Sequence, residues 1–392
     1  MTIAIFDGVK VLDLTTYLAG PYASALLGDL GADIIKIEPP GGDMMRHYPS
    51  TLPGESRAFL GVNRNKRSIV INLKDPDGLA LFQRMAAGAD VVVQNFRPGV
   101  AEGLSIDYPR LRKLNPRLVY CSLTGFGNSG PMQGFPGFDQ VVQSMSGVAA
   151  LQGLAEEEPK IVWGSIVDYF SASMLAFGIS SALYRRERTG EGQTVDTSLL
   201  RSALTLQAGR LVWAEGEPRD IERDMRLGRV SGIHPTKQGH IYIQAQTPPF
   251  WKALCALLEL PELATDPRFD DMRKRKAQEP TLLPLIRGAL ARRTAIEWES
   301  ILGGQVPCAL VRPVEDMFDH PQVIEQQMMA TLEHPAVGRY TAVTAPILIG
   351  DQGSATPDRP APVLGEHTSE ILSEFGLAAD EIARLGAVGA VK

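Results

Sequence analysis

One carboxylate stands apart by its setting. Asp168 lies in Gly164-Ser165-Ile166-Val167-Asp168-Tyr169-Phe170, among apolar residues at the mouth of a long apolar helical pattern. Two kinds of chemistry suit it. As a helix N-cap it would satisfy orphan backbone N–H groups, worth about 1 kcal/mol. As a nucleophile kept ionised at a helix N-terminus it would attack an acyl group. Spacing leaves both readings open. A second set, Asn95-Phe96-Arg97-Pro98-Gly99, puts an amide, an aromatic face and a guanidinium side by side. That trio suits a ligand carrying a base and phosphates, with Arg97 as the anion partner. The plainer reading is a solvated loop over a buried Phe96. A third set, Asn63-Arg64-Asn65-Lys66-Arg67-Ser68, reads either as a phosphate cluster or as a solvated basic face.

Missing motifs narrow the chemistry. No G-x-G-x-x-G follows the first strand pattern, which offers Leu18-Ala19-Gly20-Pro21 instead, and there is no G-x-x-x-x-G-K-[ST]. The absence of G-x-S-x-G disfavours an α/β-hydrolase. Cys121, Cys255 and Cys308 form no CxxC pair, which fits a reducing cytoplasm and argues against a disulfide framework. His234 and His240 lack the spacing of a helical metal pair, so no metal is expected. With 39 Lys+Arg against 45 Asp+Glu, the net charge of -6 disfavours a nucleic-acid binder. No secretory pattern opens the sequence, and no stretch reads as a membrane span.

These side chains need a frame to position them. Residues 9–14 read as a buried strand, followed by a helix over 22–30 and a strand over 33–38. That order makes a right-handed βαβ unit with parallel strands. It recurs as a helix over 77–87, a strand over 91–93, a helix over 108–114 and a strand over 118–123. A long helix over 168–188 then feeds a strand at 194–196. The predicted fold is α/β, a Rossmann-like open, mostly parallel, doubly wound sheet. Ligands of such sheets bind beyond the carboxyl ends of the strands, where the loops at 16–21 and 95–99 fall. The large Rossmann-like domain is expected over 1–200, completed by about 335–392. A helical linker over 201–227 joins it to a small α+β domain over 228–330, and an irregular run covers 351–362.

Taken in order, several segments resemble the family III CoA-transferases, which include formyl-CoA transferase and the CaiB/BaiF type. They are Leu12-Asp13-Leu14 with Ala19-Gly20-Pro21, the stretch 31–43 with Arg46, and the run 63–68. Asn95-Phe96-Arg97-Pro98-Gly99, Pro136-Gly137-Phe138-Asp139, the turn 188–193 with Asp196, and Leu364-Gly365-Glu366-His367-Thr368 follow. The resemblance implies that Asp168 is the nucleophile, passing through an aspartyl anhydride and an aspartyl-CoA thioester. It implies that Leu18, Ala19, Lys74, Asn95, Phe96 and Arg97 contact coenzyme A, and that Phe138 and Asp139 border the substrate pocket. It further implies acyl-CoA and a small carboxylic acid as substrates, no permanently bound cofactor, and an interlocked homodimer.

Departures shape the expected substrate. Formyl-CoA transferase carries Gln, Arg and Arg where Leu18, Pro39 and Gly103 stand, and its glycine run has no counterpart near 228–232. Formyl and oxalyl groups are therefore not expected here, and succinyl is. Related α-methylacyl-CoA racemases need a proton-transferring His where Phe138 stands, so transferase is favoured over racemase. A third reading is a CoA-binding homologue without chemistry; the Asp at 168 speaks against it.

Overall fold

The computed structural model describes residues 4–152, 158–218, 229–349, 357 and 359–392. It divides into two compact units, 1–211 with 321–392 and 212–320. Residues 219–227 of the expected helical linker, Gly228, and most of the run 351–362 lie outside the described residues.

The larger unit begins with β1 (Lys10–Asp13), α1 (Ala19–Gly28), β2 (Asp33–Glu38), α2 (Arg57–Val62) and β3 (Lys66–Val70). It continues with α3 (Pro76–Ala87), β4 (Val91–Gln94), α4 (Val100–Gly103), α5 (Tyr108–Leu114) and β5 (Val119–Thr124). Then come α6 (Asp139–Ser146), α7 (Ile166–Thr189), β6 (Thr194–Ser198) and α8 (Leu199–Thr205). The strands form one sheet in the order β3-β2-β1-β4-β5-β6, with every neighbouring pair parallel. This is the expected doubly wound sheet. Alternation along each strand feeds two apolar layers. Leu12, Ile35, Ile69 and Val92 pack on one side with Phe82 and Ile371, while Val11, Ile34 and Val93 pack on the other with Leu27 and Leu175.

The smaller unit has β7 (Gly232–Pro235), β8 (His240–Ile243), α9 (Pro248–Leu257), α10 (Met272–Ala277), α11 (Glu279–Leu290), α12 (Ala295–Leu302) and β9 (Cys308–Leu310). Its three strands form an antiparallel sheet in the order β7-β8-β9 over a core containing Trp251, Ile286 and Trp298. The chain re-enters the larger unit with α13 (Pro321–Glu325), the antiparallel hairpin β10 (Met329–His334) and β11 (Gly338–Val343), then α14 (Thr368–Glu374) and α15 (Ala379–Ala387).

Two expectations need correction. By length and composition α7 is long and apolar enough to cross a membrane, although no stretch was expected to qualify. Its Ala172, Leu175, Ile179 and Leu183 are buried in the layer against the sheet. The basic run 63–68 fits neither of its readings, because its cations are buried in ion pairs. Lys66, 1% exposed, reaches Asp13 at 2.8 Å, the Pro21 carbonyl at 2.7 Å and the Asn63 side chain at 2.9 Å. Arg64 pairs with Asp29, and Arg67 pairs with Asp33 and with Glu370 and Glu374 of α14. Lys36 on β2 adds a bond to Asp43 at 2.8 Å and one to the Thr15 carbonyl at 2.9 Å. Burial works against the Asp13 carboxylate, but Lys66 and Lys36 outweigh it and hold the group at about 2.

Truncating one partner of such a pair strands the other in low dielectric. Lys66→Met should therefore destabilise the larger unit by about 3–5 kcal/mol in urea unfolding, and adding Asp13→Asn should recover part of that loss. Because the Asp13 pKa is depressed on folding, its contribution is present above the ordinary value of 3.8 and fades as pH falls toward about 2. The gap between wild type and Lys66→Met should narrow over the same interval.

Candidate active site

Strand order reverses between β1 and β4, which is where an open parallel sheet leaves a crevice at its carboxyl edge. A cavity of about 380 Å³ opens there. Thr16, Tyr17 and Ala19 line it after β1, and Asn95, Phe96 and Arg97 line it after β4. Asp168 and Phe138 complete it from α7 and from the residue before α6.

The two loops are stitched together by one amide. Asn95 Oδ1 accepts the Thr16 N–H at 2.9 Å, and Asn95 Nδ2 donates to the Thr16 carbonyl at 2.7 Å. Phe96 is half-buried, packs against the apolar layer containing Leu12 and Val92, and donates its backbone N–H to Gln94 Oε1 at 2.7 Å. Arg97 is exposed at the rim and makes no ion pair with any described residue. Ala19 sits in the first turn of α1. Leu18, before it, packs against Met45 and Phe59 and does not line the cavity. Lys74 is exposed beyond β3, with its backbone N–H bonded to Asn72 Oδ1 at 3.2 Å, and also lies outside the lining.

Asp139 takes the capping role that was one of the two readings of Asp168. Its carboxylate is 2% exposed, and Oδ2 accepts the backbone N–H groups of Val167 at 2.7 Å and Asp168 at 3.1 Å. Gln143 Nε2 donates to the other oxygen. Two of the orphan donors that open α7 are thus satisfied by a carboxylate from α6, while Ser165, at the N-cap position with φ 56°, supplies no side-chain bond. Asp168 is not the cap. It stands in the first turn with its side chain on the cavity. Burial, reinforced by the Asp139 charge, raises its carboxyl from 3.8 to about 7, where a group held fully ionised was expected.

Sequence reasoning missed Tyr17 and the role of two glycines. Gly125 and Gly137 meet backbone to backbone, and a Cβ on Gly137 would come within 2.8 Å of Gly125 Cα. Only glycine fits at that approach, which brings Pro136 and Phe138 to the cavity rim. Both glycines were visible in Thr124-Gly125-Phe126-Gly127 and Pro136-Gly137-Phe138-Asp139, but not their pairing.

A doubly wound sheet with a carboxylate-bearing cavity at its strand-order reversal is the frame of an α/β enzyme that holds its ligand at the carboxyl edge. Similarity to known proteins narrows this further. The sequence pattern of CoA-transferase family III matches residues 6–368, and the chain belongs to that family. Acetyl-CoA:oxalate CoA-transferase of Acetobacter aceti is 39% identical over 338 residues, covering 83% of this chain and 85% of that one. Succinyl-CoA:mesaconate CoA-transferase of Haloarcula marismortui is 36% identical over 393 residues, covering 95% and 96%. The crystal structure of a CaiB/BaiF family protein from Brucella suis superposes with a TM-score of 0.83 at 30% identity, covering 95% of this chain and 100% of that one.

Asp139 both caps α7 and loads its neighbour with charge. Asp139→Asn keeps an acceptor but removes the charge. The ionisation midpoint of Asp168 should move below about 7, read as the pH dependence of carbodiimide labelling at that residue by mass spectrometry. The weakened cap should cost on the order of 1–2 kcal/mol of stability.

Proposed function

We propose that this protein moves coenzyme A from an acyl-CoA donor to a free carboxylic acid through covalent intermediates on Asp168. One observation carries the reading: among the described residues lining the cavity, Asp168 is the one carboxylate and Arg97 the one cation. The Asp168 carboxylate attacks the donor thioester carbonyl, the C–S bond breaks, and a mixed anhydride and CoA thiolate result. The thiolate then attacks the aspartyl carbonyl, the anhydride C–O bond breaks, and the donor acid leaves behind an aspartyl-CoA thioester. The acceptor carboxylate runs both steps in reverse. Covalent catalysis splits a difficult exchange into two easier ones.

Each step forms an oxyanion. The N-terminus of α1 meets the cavity at Ala19 with no side-chain cap from Leu18, so its orphan N–H groups suit that charge. In this reading Arg97 pairs with the ligand's phosphates while Asn95 and Phe96 shape the loop that carries it. Coenzyme A is longer than the cavity, and its nucleotide end extends over exposed surface toward Lys74. Phe138 cannot transfer a proton, which favours transfer over racemisation. A homodimer suits the exposed Phe177 and Tyr184 of α7.

The donor we infer is succinyl-CoA. Succinyl-CoA:mesaconate and mouse succinyl-CoA:glutarate CoA-transferases, 36% and 34% identical, are named for that donor and for dicarboxylic acceptors. The expected exclusion of oxalate meets a counter-observation in the oxalate-named relative at 39% identity. Oxalate therefore belongs among the acceptors tested.

Wild-type protein incubated with succinyl-CoA should gain mass on the peptide carrying Asp168. Asp168→Asn should gain none and lose transfer by on the order of 10⁴-fold; full activity without an adduct would sink the assignment. Only the ionised carboxylate attacks, so the acylation rate should climb about tenfold per pH unit below its pKa of about 7 and level off above it. In a screen of succinyl-, acetyl- and butyryl-CoA against mesaconate, glutarate and oxalate, succinyl-CoA should be the fastest donor. Faster transfer from the uncharged donors would overturn the donor assignment alone.

A further inference from the structure

Tyr17 adopts φ 67°, in the left-handed region that a bulky side chain rarely enters. Such a conformation persists only where its surroundings over-determine it, and here three contacts do so. The residue before it is clamped by Asn95. Its own N–H donates to Asp43 Oδ1 at 3.2 Å. The other oxygen of Asp43 accepts from Lys36 Nζ at 2.8 Å, and Lys36 Nζ also donates to the Thr15 carbonyl at 2.9 Å. Lys36 and Asp43 are both fully buried, so the clamp is rigid.

The clamp directs an aromatic ring. Tyr17 meets Phe138 edge to face, with ring centroids 5.4 Å apart and planes at 79°. The rings come from opposite sides, one from the β1 loop and one from the start of α6, and both line the cavity that holds Asp168. They are 38% and 48% exposed, a large apolar surface left at a solvent boundary rather than in the core. We infer that Tyr17 and Phe138 form an aromatic gate across the mouth of the Asp168 cavity, which keeps water from the aspartyl intermediate, and that Lys36 and Asp43 are the positioning pair that holds Tyr17 shut.

The inference rests on the reading of Asp168 as nucleophile. The side reaction it suppresses balances simply. A water oxygen adds to the aspartyl-CoA carbonyl, the C–S bond breaks, CoA leaves as thiolate, and the water's protons pass to solvent and thiolate as Asp168 is restored. The net result is hydrolysis of the donor to acid and free CoA. Excluding water from a reactive intermediate is a recognised task of closed active sites.

The experiment compares free-thiol release from succinyl-CoA without acceptor with transfer to mesaconate or another accepted acid. Tyr17→Gly suits the positive φ and so keeps the backbone while opening the gate. It should raise the ratio of hydrolysis to transfer by on the order of tenfold, and Tyr17→Phe should restore it. Asp43→Asn, which removes the charge held by Lys36, should move the ratio the same way by a smaller factor. A loss of folded protein lowers both rates together and leaves the ratio alone, so the ratio reports the gate and not stability. Added hydrolysis in Tyr17→Gly must disappear when Asp168→Asn is combined with it. An Asp168 adduct with an unchanged ratio in Tyr17→Gly overturns the gate alone. Absence of any adduct in the wild type overturns the nucleophile and the gate together.

Discussion

The carboxylate of Asp13 is the point from which the cavity-bearing edge of the sheet is built. It is fully buried at the end of β1, and it binds Lys66 from β3, Ser24 from α1 and Thr15 from the following loop. Two strands, a helix and a loop are thereby tied to one carboxylate. Desolvating these charges is costly, and an apolar replacement of the whole set could match its stability. What apolar packing cannot supply is direction. A network of charge-assisted bonds of 2.8–2.9 Å leaves the chain after β1 one path, and Tyr17 and the start of α1 lie on it.

Asp139 shows the same economy at the opposite wall. A single carboxylate satisfies the donors at the head of α7 and, by its charge, makes the next carboxylate harder to ionise. The two effects have opposite consequences for the enzyme. Capping anchors the Asp168 backbone, whereas the raised pKa reserves part of the population in the protonated form near neutral pH. In the proposed reaction the arrangement trades abundance for reactivity, because a carboxylate of higher pKa is the stronger nucleophile once ionised.

Much of the frame was legible in the sequence because it follows local periodicity. The strand at 33–38 and the helix at 108–114 lie where β2 and α5 do, and the long helix begins two residues earlier than the pattern indicated. β3 was not legible as a strand. It opens Lys-Arg-Ser, a surface pattern, and its burial is decided by partners at Asp13, Asp33 and Glu374 that no local window contains. The site divides in the same way. Asp168 announced itself by its setting, and Asn95-Phe96-Arg97 by composition, but the amide proved to be a clamp on Thr16. Asp139 was visible only through resemblance, since its capping partners are 28 and 29 residues away. Tyr17 was invisible, because a left-handed non-glycine residue leaves no mark in a sequence.

The discontinuity of the larger unit also bears on how the protein is made. The β3 edge is finished by segments from the far end of the chain: Ile71 bridges Val391, and Arg67 is neutralised by Glu370 and Glu374. At about 5–20 residues per second of synthesis, some 320 residues separate these partners by roughly 15–60 s. Throughout that interval the nascent sheet carries an open hydrogen-bonding edge and a guanidinium short of two of its carboxylates. Final assembly of this unit therefore waits for residues 370–391, and the β3 edge stays open to misassociation until they have emerged.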